Sequence, residues 1–232
     1  NCKDDEERTK TCEIIRPILR GRDIKRYSYE WADLWLIATF PSMHYDIEQY
    51  PAIKEHLLSF GMERLEQTGK EYVVDGQHIK ARKKTNNKWF ETQDSISYVD
   101  FLSQHKIVWK RVGSILRFSY DENQFLTLDS TCFAVGKNIE YICCVLNSSM
   151  GHYLLKDAPQ TGTGDLLISV QAIEPLRLPI ISEEDDSLFI GWLNQLILSQ
   201  DGTSLEQVVL NKIFDLYGLT PVEREFIKTN FS

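Results

Sequence analysis

Apolar positions along the chain set out short extended elements first and helices later. Residues 13–19 (EIIRPIL) read as an extended piece broken at Pro17, and Gly21 with Asp23 marks a tight turn inside RGRDIKRY. Residues 34–40 (LWLIATF) form a continuous apolar run, the pattern of a strand buried on both faces and closed by Pro41-Ser42. Over residues 50–65, Ile53, Leu57, Leu58 and Phe60 fall at helical spacing. Pro51 sits in that first turn, where a missing N–H costs nothing, and Gly61 bends or interrupts the helix. Residues 68–88 are polar, with VVDGQ as a turn signal before the basic run KARKK, and read as a mobile loop or hairpin.

The next stretch predicts strands over residues 106–112 (KIVWKRV) and 115–120 (ILRFSY), joined around Gly113-Ser114, and over 131–135 (TCFAV). Alternation puts Ile107, Trp109 and Arg111 on one face and Val108, Lys110 and Val112 on the other. Both faces are mixed, so Lys110 or Arg111 belongs near an edge or a strand end. A helix over residues 139–155 shows an apolar stripe of Ile142, Val145, Leu146, Met150, Tyr153 and Leu154. A loop (QTGTG, 160–164), a strand over 166–170 and an extended piece (LRLPII, 176–181) follow. Beyond that the pattern is helical. Ser182 and the acids behind it start a helix running to about residue 199, and Asp201-Gly202 breaks it. A second helix covers 204–217, with Ser204 and Gln207 as a capping box and Gly218 at its C-cap. A third covers 221–229, opened by Thr220-Pro221. The expected fold is α+β: a mixed sheet body with packed helices and a C-terminal helical tail. Residues 1–11 are expected to be a linker or frayed terminus, 12–181 the main domain, and 182–232 the helical extension.

Composition narrows the classes. With 232 residues, 42% hydrophobic and 11% aromatic, the chain can fill a core. No apolar run approaches the ~20 residues of a membrane span, and the polar, acidic start has no leader pattern. A first residue that is Asn1 rather than Met leads us to expect a piece of a longer chain. Cys2, Cys12, Cys132, Cys143 and Cys144 are odd in number and irregularly spaced, with no C-x-x-C. They read as free thiols in a reducing, cytoplasmic setting. A net charge of −8 argues against a protein that merely coats nucleic acid. Its distribution changes the picture, because residues 10–120 hold 18 Lys and Arg against 14 Asp and Glu, whereas residues 121–232 hold 6 against 16. A polyanionic partner is expected on the first half.

The familiar catalytic patterns are missing. There is no glycine-rich turn after a buried strand for S-adenosylmethionine and no Pro-Pro-aromatic motif to grip a target amine. A P-loop and a G-x-S-x-G elbow are also lacking. The five histidines are scattered, with no metal-ligand spacing. Catalytic and metal residues are therefore expected to be none, and cofactors none in this piece. What the sequence does hold is three basic clusters with aromatic neighbours. The first is Arg16, Arg20, Arg22, Lys25 and Arg26 beside Tyr27 and Tyr29. The second is Lys80, Arg82, Lys83, Lys84 and Lys88 before Trp89. The third is Lys106, Lys110, Arg111 and Arg117 around Trp109. Arginine forks match guanine edges or paired phosphate oxygens, and lysine acts as a point charge on phosphate. The candidate DNA contacts are Arg20, Arg22, Lys25, Arg26, Arg82, Lys83, Lys84, Lys110, Arg111 and Arg117. The other meaning of such clusters is a solvated face.

The run IIRPILRGRDIKRY followed by WLIATF resembles the opening of the TaqI-like C-terminal specificity domain. YPAIKEHLLSF, KWFETQ, KIVWKRVG, LDSTCFAV, IEYICCVLNSSMGHYLL and LRLPII resemble further segments of that family, in order. The tail LNKIFDLYGLTPVEREFI is similar to a helix pair that often ends these enzymes. The family occurs in adenine-N6 DNA methyltransferases and type IIG restriction–modification enzymes. The resemblance implies double-stranded DNA as partner, no membrane, and a missing N-terminal methyltransferase domain. That domain would use S-adenosylmethionine, with magnesium where a nuclease is fused. The motif residues Gly21, Asp23, Asn147 and Asp129-Ser130 look like scaffold: a turn, a helix end and a loop. A rival function is a protein-interaction module that binds a partner subunit through the acidic helical tail.

Overall fold

The structure is a computed structural model describing residues 2–96, 98–199 and 203–231. Contacts divide the chain into two units, Asn1–Pro17 with Asp33–Asp100, and Ile18–Ala32 with Phe101–Ser232. This division differs from the contiguous blocks expected from sequence.

The first unit opens with α1 (Asp5–Ile14), capped by Asp4, whose side chain accepts from the Glu7 N–H at 2.8 Å. Asp5, Glu6 and Glu7 lie in its first turn, where the helix dipole favours anions. Residues 5–11, expected to belong to a linker or frayed terminus, lie in this helix. The chain continues as β1 (Ile15–Leu19), whose first three residues pair antiparallel with β2 (Trp35–Ile37), Ile15 facing Ile37 and Pro17 facing Trp35. The apolar run 34–40 is therefore a three-residue strand and is not buried on both faces. Trp35 is 55% exposed, with its indole N–H donating to Asp33. Residues 50–65 split into α2 (Pro51–Leu58) and α3 (Met62–Leu65) at Gly61, whose φ of 86° belongs to the left-handed region. Residues 71–80 form a hairpin of β3 (Glu71–Val74) and β4 (Gln77–Lys80). Its two turn residues, Asp75 and Gly76, both have positive φ, which suits the strand twist of a two-residue loop. Ile47, Ile53 and Phe90 form the core, flanked by Ile15, Ile37, Tyr50 and Trp89. The short α4 (Val99–Leu102) spans the point where the chain leaves this unit.

The second unit has strands β5 (Lys106–Lys110), β6 (Val112–Gly113), β7 (Phe118–Asp121), β8 (Leu126–Thr127), β9 (Thr131–Val135) and β10 (Leu166–Leu167). β5 is central, antiparallel to both β7 and β9. Its first four residues are buried: Ile107 and Trp109 join the larger core and Val108 a smaller one with Leu19, Ile24 and Phe125. Only Lys110, at the strand end, is exposed. β6 pairs with β10, and β8 runs parallel to Ile18 and Leu19. The strand expected over 166–170 stops early, because Val170 already belongs to α7 (Val170–Ile173), while residues 176–181 form no strand.

The stripe at 139–155 is two helices, α5 (Ile139–Leu146) and α6 (Ser149–Leu154). Asn147 ends the first and Ser148 caps the second. The remaining helices are α8 (Glu183–Leu198), α9 (Thr203–Leu216) and α10 (Pro221–Asn230). Ser182 caps α8, and Thr220 with Glu223 forms a capping box on α10. Ser204 lies inside α9 rather than ahead of it, so the expected box with Gln207 does not form there. Gly218 (φ 65°) follows α9 in the expected left-handed conformation. The expected break at Asp201-Gly202 lies outside the described residues. Phe189, Leu193, Leu210, Ile213, Phe214 and Ile227 share one core with Ile107, Trp109 and Tyr141, so the C-terminal helices are integral to this unit. The α+β class holds throughout. Among the described residues no helix is long and apolar enough to cross a membrane.

Candidate nucleic-acid interface

The turn at 20–23 begins with a charge pair. Arg20 donates its backbone N–H to Asp23 at 2.8 Å, and its guanidinium grips the same carboxylate, the shortest contact also being 2.8 Å. The Asp23 N–H returns to the Arg20 carbonyl, closing a 3-10 turn over Gly21–Asp23. Asp23 is only 4% exposed, and Arg20's hydrogen bonds hold its carboxyl below the usual carboxylate range. Downstream the loop is tied to β7. Tyr27, at φ 63°, donates its N–H to Phe118 and accepts from the Tyr120 N–H, each at 2.9 Å. Buried Ser119 bonds the carbonyls of Lys25 and Ser28. A loop otherwise free to move is thereby fixed on the sheet.

That anchoring presents Arg22 to a concavity of about 290 Å³ which it lines together with Lys110 and Arg117. Gly21, Ile24, Gly113, Ser114 and Ile115 complete the lining, and no carboxylate is among them. Arg22, Lys110 and Arg117 are all exposed. The Lys110 stem runs beside two glycines. A Cβ on Gly21 would lie 3.1 Å from Lys110 Cγ, and one on Gly113 would lie 3.6 Å from its Cδ. The glycines thus leave room for the methylene stem, and the ammonium reaches the hollow. Such an arrangement suits an anion.

The chain matches the family model of the TaqI-like C-terminal specificity domain over residues 16–180. It belongs to that family. No curated protein matches it. Domains of this family are specificity domains of restriction–modification enzymes.

The concavity unites Arg22 of the first cluster with Lys110 and Arg117 of the third. The other members are arranged differently. Arg20 is engaged by Asp23, Lys25 pairs with Glu30 at 2.9 Å, and Arg26 pairs with Glu206 of α9 at 3.1 Å. Arg26 also donates to the Asn147 carbonyl and stacks its guanidinium by the Tyr27 ring. Arg111 is exposed next to β5, with its backbone N–H held by Ser130. Lys106 is not a surface cation: it and Asp121 are fully buried, 2.6 Å apart. In the first unit, Arg82 donates to the carbonyls of Trp89 and Glu91, and burial lowers its pKa. Its neighbours Lys83 and Lys84 are exposed. The expected aromatic anchors are mostly core. Tyr27 and Trp109 are buried, Trp109 donating to the Ile168 carbonyl.

The family's motif residues carry the frame of the domain. Asn147, 1% exposed, accepts from the Phe118 N–H and donates to the Phe118 carbonyl, clamping β7. Gln67 and Arg82 converge on the Glu91 carbonyl, which fixes the KWFETQ segment within the first unit. Sequence reading passed over Gly113 and Ser114 as a plain joint, although they line the concavity. Gly113, three positions after the strand-end Lys110, was the available signal; Gly21 reaches the same lysine only through the fold. Charge by unit also departs from the charge by half. The first unit has 12 basic and 16 acidic side chains and the second 14 and 18, a net of −4 each. Cations are concentrated locally, at the hollow, rather than spread over a basic half. The described residues contain no group of three His, Cys, Asp or Glu arranged to hold a metal.

Proposed function

We propose that this domain recognises a specific duplex DNA sequence and positions it for adenine-N6 methylation by a catalytic part of the same enzyme. The observation that carries this reading is the carboxylate-free hollow of Arg22, Lys110 and Arg117 in a chain of the specificity-domain family. DNA is a dense polyanion, and clustered exposed cations supply affinity for it even on an acidic protein. The catalytic part would hold S-adenosylmethionine and receive the adenine once flipped from the stack. Where that part also cleaves, as in type IIG enzymes, magnesium would serve the cut. The setting is cytoplasmic, where reduced thiols persist. Exposed Lys83, Lys84 and Arg111 are further contacts, whereas Arg20, Lys25, Arg26 and Arg82 act mainly by holding their own loops.

The test is titration of the chain with short duplexes at two salt concentrations. Binding that weakens steeply with salt, and that alanine at Arg22, Lys110, Arg111 and Arg117 abolishes, is the expected outcome. No binding at low salt defeats the proposal. The acidic residues of the rival partner-binding reading already have local roles. Glu183–Asp186 form the first turn of α8, and Asp185 pairs with Lys212 of α9.

A further inference from the structure

We infer that the Arg22–Lys110–Arg117 hollow seats one backbone phosphate and reads no base, an assignment that rests on the DNA-binding reading above. The two ligands differ in charge and in the number of acceptors they offer. A guanine edge offers two acceptors, N7 and O6, which one arginine fork satisfies. Against a neutral base edge, a hollow lined by three cations and no acid would leave all three charges uncompensated and two of the cations without an acceptor. A phosphate diester brings one negative charge and oxygens with acceptor sites enough for donors on all three. The lining adds a hydroxyl, Ser114, and two glycines beside which backbone can approach a ligand closely.

The build of the hollow points the same way. Lys110 stands at the exposed end of an otherwise buried strand, with its stem beside Gly21 and Gly113. Arg22 rides on a turn pinned by the Arg20–Asp23 pair. Rigidly borne point charges register a duplex on the protein, whereas sequence choice needs contacts that reach into a groove. Lys110 is thus a positioning cation, and specificity must be read by other side chains.

Two titrations of the intact chain test this, each with the wild type and with Lys110→Met, which keeps the stem and removes the charge. With short duplexes, Lys110→Met is expected to lower affinity about tenfold for cognate and altered sequences alike. It should also flatten the slope of log affinity against log salt by about one. With inorganic phosphate, the amide resonances of Gly21, Gly113 and Ser114 should shift in the wild type and stay still in Lys110→Met. Unchanged duplex affinity, or a loss confined to particular base-pair changes, overturns the phosphate assignment while leaving DNA binding intact. Phosphate-dependent shifts in a chain that binds no duplex would keep the oxyanion site and reject the DNA reading. Absence of those shifts in the wild type overturns the site.

Discussion

At the scale of single residues, the most telling contrast is between arginines that look alike in sequence. Arg20 and Arg22 are two positions apart, yet the first is locked to a buried carboxylate and the second lines a solvent-open hollow. Arg20 lowers the proton affinity of Asp23 in the folded state. The pair therefore stabilises fully above the ordinary Asp range near ~4, and that contribution is lost as pH falls through the lower folded value. Asp23→Asn should cost roughly 1 kcal/mol per hydrogen bond lost at neutral pH and flatten the acid limb of stability against pH. Urea unfolding at stepped pH measures both. Gly21→Ala asks a different question. The turn tolerates Ala, but the new methyl meets Lys110 Cγ at 3.1 Å, so the lysine must shift. Thermal stability should change little and duplex affinity should fall, as paired melting and binding curves would reveal. Pair formation was the part of the site that sequence did not show. Charge type and spacing are visible in a string of letters, but the partner that neutralises a cation, such as Glu206 for Arg26, lies 180 residues away.

At the scale of elements, local chemistry was legible and burial less so. The Thr220-Pro221 start, the Asp75-Gly76 turn and the Gly218 stop appear as expected, because each depends only on neighbouring residues. The run 34–40 misled because apolar content alone cannot tell a buried central strand from a three-residue edge strand that leaves Trp35 in solvent. The stripe at 139–155 hid a break for a similar reason. Its period is continuous, yet Asn147 turns aside to clamp Phe118. Asn147→Ala should orphan the buried Phe118 N–H, while the Phe118 carbonyl keeps the Tyr27 N–H, and destabilise the fold by about 1–3 kcal/mol, read as a lower midpoint in denaturant. If the midpoint holds, the clamp is incidental to the junction of α5 and α6.

At the scale of the whole molecule, the α+β class was legible from the alternation of periods, whereas the two units were not. Composition marks boundaries only along the chain, and here each unit is assembled from separated segments. The larger unit also depends on a fully buried charge pair, Lys106 with Asp121. The aspartate oxygens accept the backbone N–H groups of Asn123 and Phe125, and Lys106 also donates to the Leu102 carbonyl. Lys106→Met would leave that carboxylate unpaired in the interior, and we expect a loss of about 3–5 kcal/mol. Calorimetric melting of the intact chain would register it, and an unchanged transition would contradict the assignment.

Lys106 faces Asp121 across the sheet and Lys110 stands four residues on, at the other end of the same strand. A slip of one position would swing Trp109 and its neighbours to opposite sides and strip the interior lysine of its counterion. A hairpin misaligned by one residue would thus carry an electrostatic fault at one end. The native alignment, which avoids that fault, also delivers an ammonium to the hollow at the other end, so the interior pair and the aim of the surface lysine share one register.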